Sequence, residues 1–276
     1  MSNANVTNLF QTALDDGAIS AAALQGIHVP DLGAQIQAGL GMSVAQVGAA
    51  GGVMLFGMMP DDSGSIASIR KDPNNYRSSV IGPQLVRDGH NMVLDALKGT
   101  KQRDGIMILT RYLNGFVLNP YTLVDQAIRM DDKNYDPRLG TPLYDQAVVF
   151  LLTVLKKAQE FIDSGVSCRT VSVFLTDGRD EHSKKQTADD VRRIVEDMIR
   201  SENHIVGFMG IDDGSVNAPN FSVIAQEMGI PPGLILTPGN TEHEIRAAFN
   251  TVTQSALRAS QGGKGFSALA LGGFGA

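Results

Sequence analysis

Four near-continuous apolar runs, each about the length of one strand, recur along the middle of the chain: residues 52–59 (GVMLFGMM), 170–176 (TVSVFLT), 205–211 (IVGFMGI) and 234–237 (LILT). A strand covered on both faces reads this way, because neither face is left to water. Amphipathic stretches separate the runs. Val191, Ile194, Val195, Met198 and Ile199 fall at helical spacing on one stripe, with Asp189, Asp190, Arg192, Arg193, Glu196 and Asp197 on the other side. Residues 148–161, 221–228 and 242–257 read as further helices, as does a stretch at about 82–97, and Gly229 is placed to end the helix at 221–228. Two shorter apolar pieces, 106–109 and 115–118, flank Asn114-Gly115, a strong hairpin signal. Strands alternating with helices imply right-handed crossovers. The expected fold is α/β: a doubly wound, mostly parallel six-stranded sheet with one antiparallel edge strand and helices on both faces.

This alternation occupies residues 51–259. Residues 1–50 read as an Ala/Gly-rich extension with short helices near 8–14 and 33–40, separated by Gly and Pro30. Its place, on the domain or on another subunit, is left open by the sequence. Residues 260–276 (SQGGKGFSALALGGFGA) read as a flexible Gly-rich tail with one apolar patch at 266–271. The 276 residues are 43% hydrophobic and 19% charged, enough apolar material for a core without staples.

The net charge of −6 argues against a nucleic-acid groove and is compatible with holding a cation. A single cysteine, Cys168, rules out an intrachain disulfide and a cysteine zinc cluster. The five histidines show no zinc spacing and read as structural or surface residues. No Gly-x4-Gly-Lys-[Ser/Thr] loop and no Gly-x-Ser-x-Gly elbow is present. The first ten residues lack the basic and apolar regions of a signal peptide, and no apolar stretch reaches the roughly 20 residues of a membrane span. The expected setting is cytoplasmic, with neither membrane nor nucleic acid as a partner.

The first strand runs into Asp61-Asp62-Ser63-Gly64-Ser65. The D-x-S-x-S spacing alone is weak, and helix capping explains it as well. Position sharpens it, because ligands in open α/β sheets lie beyond the carboxyl ends of the strands. Asp177 ends another buried strand, within Leu175-Thr176-Asp177-Gly178, where Gly178 would let the chain turn sharply. Thr141 lies in Gly140-Thr141-Pro142-Leu143, which opens a helix and can also be read as a cap with Pro142 at the first helical position. Two carboxylates and three hydroxyls meeting in one crevice would suit a hard cation. Mg2+ takes oxygen ligands and keeps waters, and neutral hydroxyls leave its charge unsaturated.

The set Asp61-x-Ser63-x-Ser65, Thr141 and Asp177, within Pro137-x-x-Gly140-Thr141-Pro142-Leu143 and Leu175-Thr176-Asp177-Gly178, resembles the metal-ion-dependent adhesion site of von Willebrand factor A domains. The resemblance covers residues 51–258. It implies that Ser63, Ser65 and, in at least one state, Thr141 ligate the metal directly, and that Asp61 and Asp177 hold it directly or through waters. The metal would be Mg2+, with Mn2+ or Ca2+ possible. A partner protein would supply an Asp or Glu carboxylate, and movement of the last helix would accompany changes in coordination. Three features depart from the family pattern: Pro60 before Asp61, Ile66 where Met is frequent, and residues 69–79 (IRKDPNNYRSS), which read as an insertion.

Stand-alone domains resembling this one often serve bacterial assemblies, beside AAA+ ATPases of the MoxR or chelatase type or in stress and defence systems. An adaptor of that kind, not an enzyme, is the leading expectation. A metal-dependent phosphoester hydrolase and a structural subunit of an oligomer are the alternatives. Asp180 and Glu181 read as a solvated loop more readily than as supports of the site, while Asp212 and Asp213 read equally well as tuning the rim electrostatics and as a simple turn before Gly214.

Overall fold

The computed structural model describes residues 3–47, 52–71, 77–212 and 218–260. Its centre is a six-stranded sheet in the order β3-β2-β1-β4-β5-β6. The strands are β1 (Val53–Pro60), β2 (Ile106–Arg111), β3 (Val117–Leu123), β4 (Cys168–Thr176), β5 (His204–Gly210) and β6 (Ile235–Leu236). All pairings are parallel except β2 with β3, the hairpin turned at Asn114-Gly115, where Gly115 has φ +96°. Every residue of β1, β2 and β5 is buried, which accounts for their unbroken apolar character. Pro60 does not break β1: it stands opposite Leu175 of β4. The pairing with β2 stops at Met58, so the missing N–H costs no ladder bond on that side.

Helices cover both faces. On one lie α6 (Gly82–Lys98) and α10 (Glu242–Ser260), packed so closely that Phe249 fills the space a Cβ of Gly89 would need. On the other lie α7 (Leu143–Asp163) and α8 (Ala188–Arg200), with α9 (Phe221–Glu227) against α8. The expected stripe on α8 is core: Val191, Ile194, Val195 and Met198 are buried. Thr187 and Asp190 close its N-terminus as a capping box. The last strand is shorter than expected, because residues 232–234 form a tight turn before Ile235.

The N-terminal segment packs on the domain. Its helices are α1 (Asn3–Leu9), α2 (Gln11–Asp15), α3 (Ala21–Gln25), α4 (Leu32–Leu40) and α5 (Val44–Val47). They lie over α7, α8 and β3 and bury Phe10, Ile19, Leu24, Leu32 and Ile36. Polar ties fix the seam. Ser20 N–H donates to Asp197 Oδ2 at 2.8 Å, and Lys157 Nζ donates to Met42 O at 2.6 Å. Gln159 Nε2 donates to Asp16 Oδ2 at 2.7 Å. Gly41, at φ +58°, brings the chain against Tyr121 of the edge strand β3, whose carbonyl accepts from Met42 N–H at 2.8 Å. This covering buries α7 on nearly all sides. No helix among the described residues is long and apolar enough to cross a membrane.

Candidate functional site

β1 and β4 are neighbours, and the chain leaves β1 toward β2 on one side and β4 toward β5 on the other. The strand order therefore reverses between them, and the crevice beyond their carboxyl ends is the switch point of the sheet. Asp61 directly follows β1 and Asp177 directly follows β4. Thr141 lies just before α7.

Three of the five predicted side chains, Ser63, Ser65 and Asp177, are joined by short polar contacts, and Asp61 reaches them through the Ser63 backbone. Asp61 Oδ1 accepts from Ser63 N–H at 2.7 Å, and its other oxygen accepts from Thr176 Oγ1 at 2.5 Å. The hydroxyls of Ser63 and Ser65 are 2.8 Å apart. Ser65 Oγ then donates to Asp177 Oδ1 at 2.7 Å. Thr141 joins through its backbone. Ser63 pairs with Leu139 in a parallel bridge, and Gly64 N–H donates to Leu139 O at 3.0 Å, setting the strand that leads to Thr141 beside the serines. The Thr141 hydroxyl takes no part in the serine–aspartate chain; it lies 3.9 Å from the position a Cβ of Gly178 would occupy.

The chain bends at 177–178 as expected, with Gly178 outside the left-handed region and its own N–H closing the turn on Thr176 Oγ1 at 3.0 Å. One local reading is corrected. Thr141 does not cap α7 with its side chain, and Pro142 precedes the first helical residue instead of occupying it.

Several supporting residues were not legible as such in the sequence. Asp62 turns away from the hydroxyls and accepts from Asn114 N–H at 2.9 Å and Asn114 Nδ2 at 2.8 Å. The same Nδ2 donates to Gly140 O at 2.7 Å, so one amide ties the β2–β3 turn to the loops that carry Asp62 and Gly140. Tyr135, almost wholly buried, donates its hydroxyl to the Asp61 carbonyl. His182 Nδ1 accepts from Thr141 N–H at 2.9 Å, and its ring occupies the space a side chain at Gly140 would need. The loop after β4 is stapled to the start of α7. Asp180 accepts from Ser183 Oγ at 2.5 Å and from Tyr144 N–H at 3.3 Å. Asp145 accepts from the N–H groups of Lys184, Lys185 and Gln186. Asp180 is thus a strut of the site, not a solvated loop residue, whereas Glu181 is exposed. Asp213, residues 72–76 of the expected insertion and the tail patch at 266–271 lie outside the described residues.

The electrostatics are those of a buried acid pair. Asp61 is fully buried, and burial pushes its carboxyl up to about 6 against the lowering effect of its hydrogen bonds from Thr176 and Ser63. Burial also raises Asp62, opposed by its bonds from Asn114. Among the described residues no Lys or Arg pairs with Asp61. A buried carboxylate without a counter-charge is costly, and an oxygen-liganded cation would remove that cost. Among the described residues no three His, Cys, Asp or Glu side chains gather at one point. The donors at the switch point are hard oxygens, two carboxylates supplemented by hydroxyls, and this chemistry fits Mg2+ better than a metal that needs nitrogen or sulfur.

The architecture and switch point define an α/β domain of the von Willebrand factor A-like, Rossmann-like class. Among solved structures, the chain is similar to the vWF domain of the type V pili tip protein Mfa5 from Porphyromonas gingivalis: 11% identity, TM-score 0.50, covering 78% of this chain and 99% of that one. It is also similar to the PilB minor pilin from Streptococcus sanguinis (10%, TM-score 0.52, 77% and 62%). A third is the pilus adhesin SpaC from Lactobacillus rhamnosus GG (12%, TM-score 0.51, 76% and 30%). The chain spans about a third of the adhesin and under two thirds of the minor pilin. At these identities the likeness is one of fold. No protein-family model and no curated protein matches the chain.

Proposed function

We propose that the chain is a protein-binding module in which Asp61, Ser63, Ser65, Thr141 and Asp177 hold one Mg2+, with Mn2+ or Ca2+ as alternative occupants. The bound ion would accept a carboxylate oxygen from an Asp or Glu of a partner protein. The observation that carries this reading is the unbroken run of short contacts from Ser63 through Ser65 to Asp177 across the switch point. These groups satisfy one another in the structure, and in this reading the same oxygens turn toward the cation when it binds. Asp61 supplies a second acid whose orientation is fixed by Ser63 N–H and Thr176. The struts from Asn114, Tyr135 and His182 hold the three loops in place beforehand, which lowers the ordering cost of binding.

In this reading the chain is an adaptor, and an AAA+ ATPase of the MoxR type in a bacterial cytoplasm is one partner to test. A surface role is the second reading. It is favoured by the pilus adhesin, minor pilin and pilus tip protein among the structural neighbours. Cell fractionation separates the two.

The test of the metal site is calorimetric titration with Mg2+ and Mn2+. Native protein should bind one equivalent, and Asp61→Ala and Ser65→Ala should each lose at least tenfold in affinity while keeping the native circular dichroism. Absence of any saturable binding by the native chain sinks the reading.

A further inference from the structure

Six large apolar side chains are exposed among the described residues, and four of them lie on connections that lead away from the carboxyl ends of the strands or onto the helices beyond them. Val80 precedes α6, Phe116 is in the β2–β3 turn, Leu139 precedes Thr141, and Val223 is in the first turn of α9. Leu139 and Phe116 are the most exposed, at 58% and 55%. Both border the Asn114 strut: Phe116 lies two residues beyond it, and Leu139 is next to Gly140, whose carbonyl the Asn114 amide binds. Leu139 also pairs through its backbone with Ser63. Leu139 therefore stands, exposed, on the segment beside the loop that carries the serine hydroxyls. The loop after β4, on the other side of Thr141, exposes Arg179, Lys184 and Lys185 against the single exposed carboxylate of Glu181. In a chain of net charge −6 this loop is locally basic, whereas the segment before Leu139 exposes Asp131, Asp132 and Asp136 beside Lys133 and Arg138.

We propose that this face takes an extended acidic segment of another protein, in which one carboxylate enters at Ser63 and Ser65 and large apolar side chains beside it cover Leu139 and Phe116. The inference rests on the metal-site reading above and adds the partner's chemistry to it. The basic loop attracts the acidic segment as a whole. The apolar pair gives selectivity among acids, because covering one leucine-sized side chain is worth roughly tenfold or more in affinity. Neither residue is buried, and Phe116 only rests its ring on Tyr112 at 5.3 Å, so both can be changed at small cost to the fold.

The test is selection of displayed random peptides on the full chain in Mg2+, with elution by EDTA, followed by binding measurements on one enriched synthetic peptide. Enriched sequences should place Asp or Glu beside Leu, Ile or Phe. The double variant Leu139→Ser, Phe116→Ser should bind that peptide about tenfold or more weakly, with its Mn2+ affinity unchanged. Enriched acids with polar neighbours, or a double variant that binds like native protein, would overturn the inference while leaving the metal site standing. Failure to enrich any peptide by a chain that binds Mn2+ overturns it too, and a magnesium-dependent self-association in place of peptide capture would assign the face to a second copy. Failure to bind Mn2+ at all removes the reading beneath it.

Discussion

Asp62 shows how much of a site is set by residues that never touch its ligand. It sits between two candidate ligands in sequence yet points to Asn114, whose amide also holds Gly140. Asn114→Ala should therefore weaken Mn2+ binding by roughly 10- to 100-fold, the usual range for a group that orients ligands. Calorimetry checks this, and thermal unfolding without metal should show a much smaller change. The D-x-S-x-S spacing was readable because its residues are neighbours in the chain, although Ser65 and Asp61 also bond Asp177 and Thr176 at the end of the distant strand β4. Asn114 was readable only as a hairpin residue: turn chemistry explains it fully, so nothing in the sequence signals the long-range bond to Asp62, 52 positions away. Tyr135 and His182 were hidden for the same reason. Each acts through a partner in another loop, and only the folded topology brings the loops together.

At the scale of elements, the α8 stripe, the hairpin and the buried strands were legible because burial on one or both faces leaves a period. The closeness of α6 and α10 leaves none. Gly89 looks like a weak residue in a helix, but a Cβ there would stand 2.0 Å from a ring carbon of Phe249. Gly89→Ala adds helix propensity worth about 1 kcal/mol. The clash costs about 1–3 kcal/mol. The ring fills the seam with no open space beside it, so the clash should win, and calorimetric melting should show a Tm lowered by several degrees. Thr170 and His204 make a comparable buried joint between β4 and β5, with Thr170 Oγ1 and His204 Nδ1 2.7 Å apart. His90 makes another between α6 and β2, through Thr110 at 2.9 Å.

For the molecule as a whole, those two histidines bear on acid stability. Burial lowers each to about 4, below the ordinary 6.5 of the unfolded chain. The unfolded state then binds more protons between these values. Their contribution is complete above about pH 6.5 and is lost as pH falls toward 4, on the order of 3 kcal/mol each. Asp61, raised to about 6, acts in the opposite sense. A difference measurement isolates the effect: His204→Gln should flatten the decline of unfolding free energy between pH 7 and 5 relative to native protein. The N-terminal segment matters at the same scale. Its helices cover an α7 that is buried over most of its surface, so a chain beginning at residue 52 should expose that helix, bind a hydrophobic dye and aggregate. The sequence showed short weak helices there but not their seat, since each is too short to carry a clear period. The contact of Gly41 and Met42 with Tyr121 has a further consequence. It occupies the outer margin of β3, and the opposite margin, β6, has only two residues. A visiting strand would meet the Gly41–Met42 segment at one side and a two-residue strand at the other, so neither margin offers a long free ladder for strand addition.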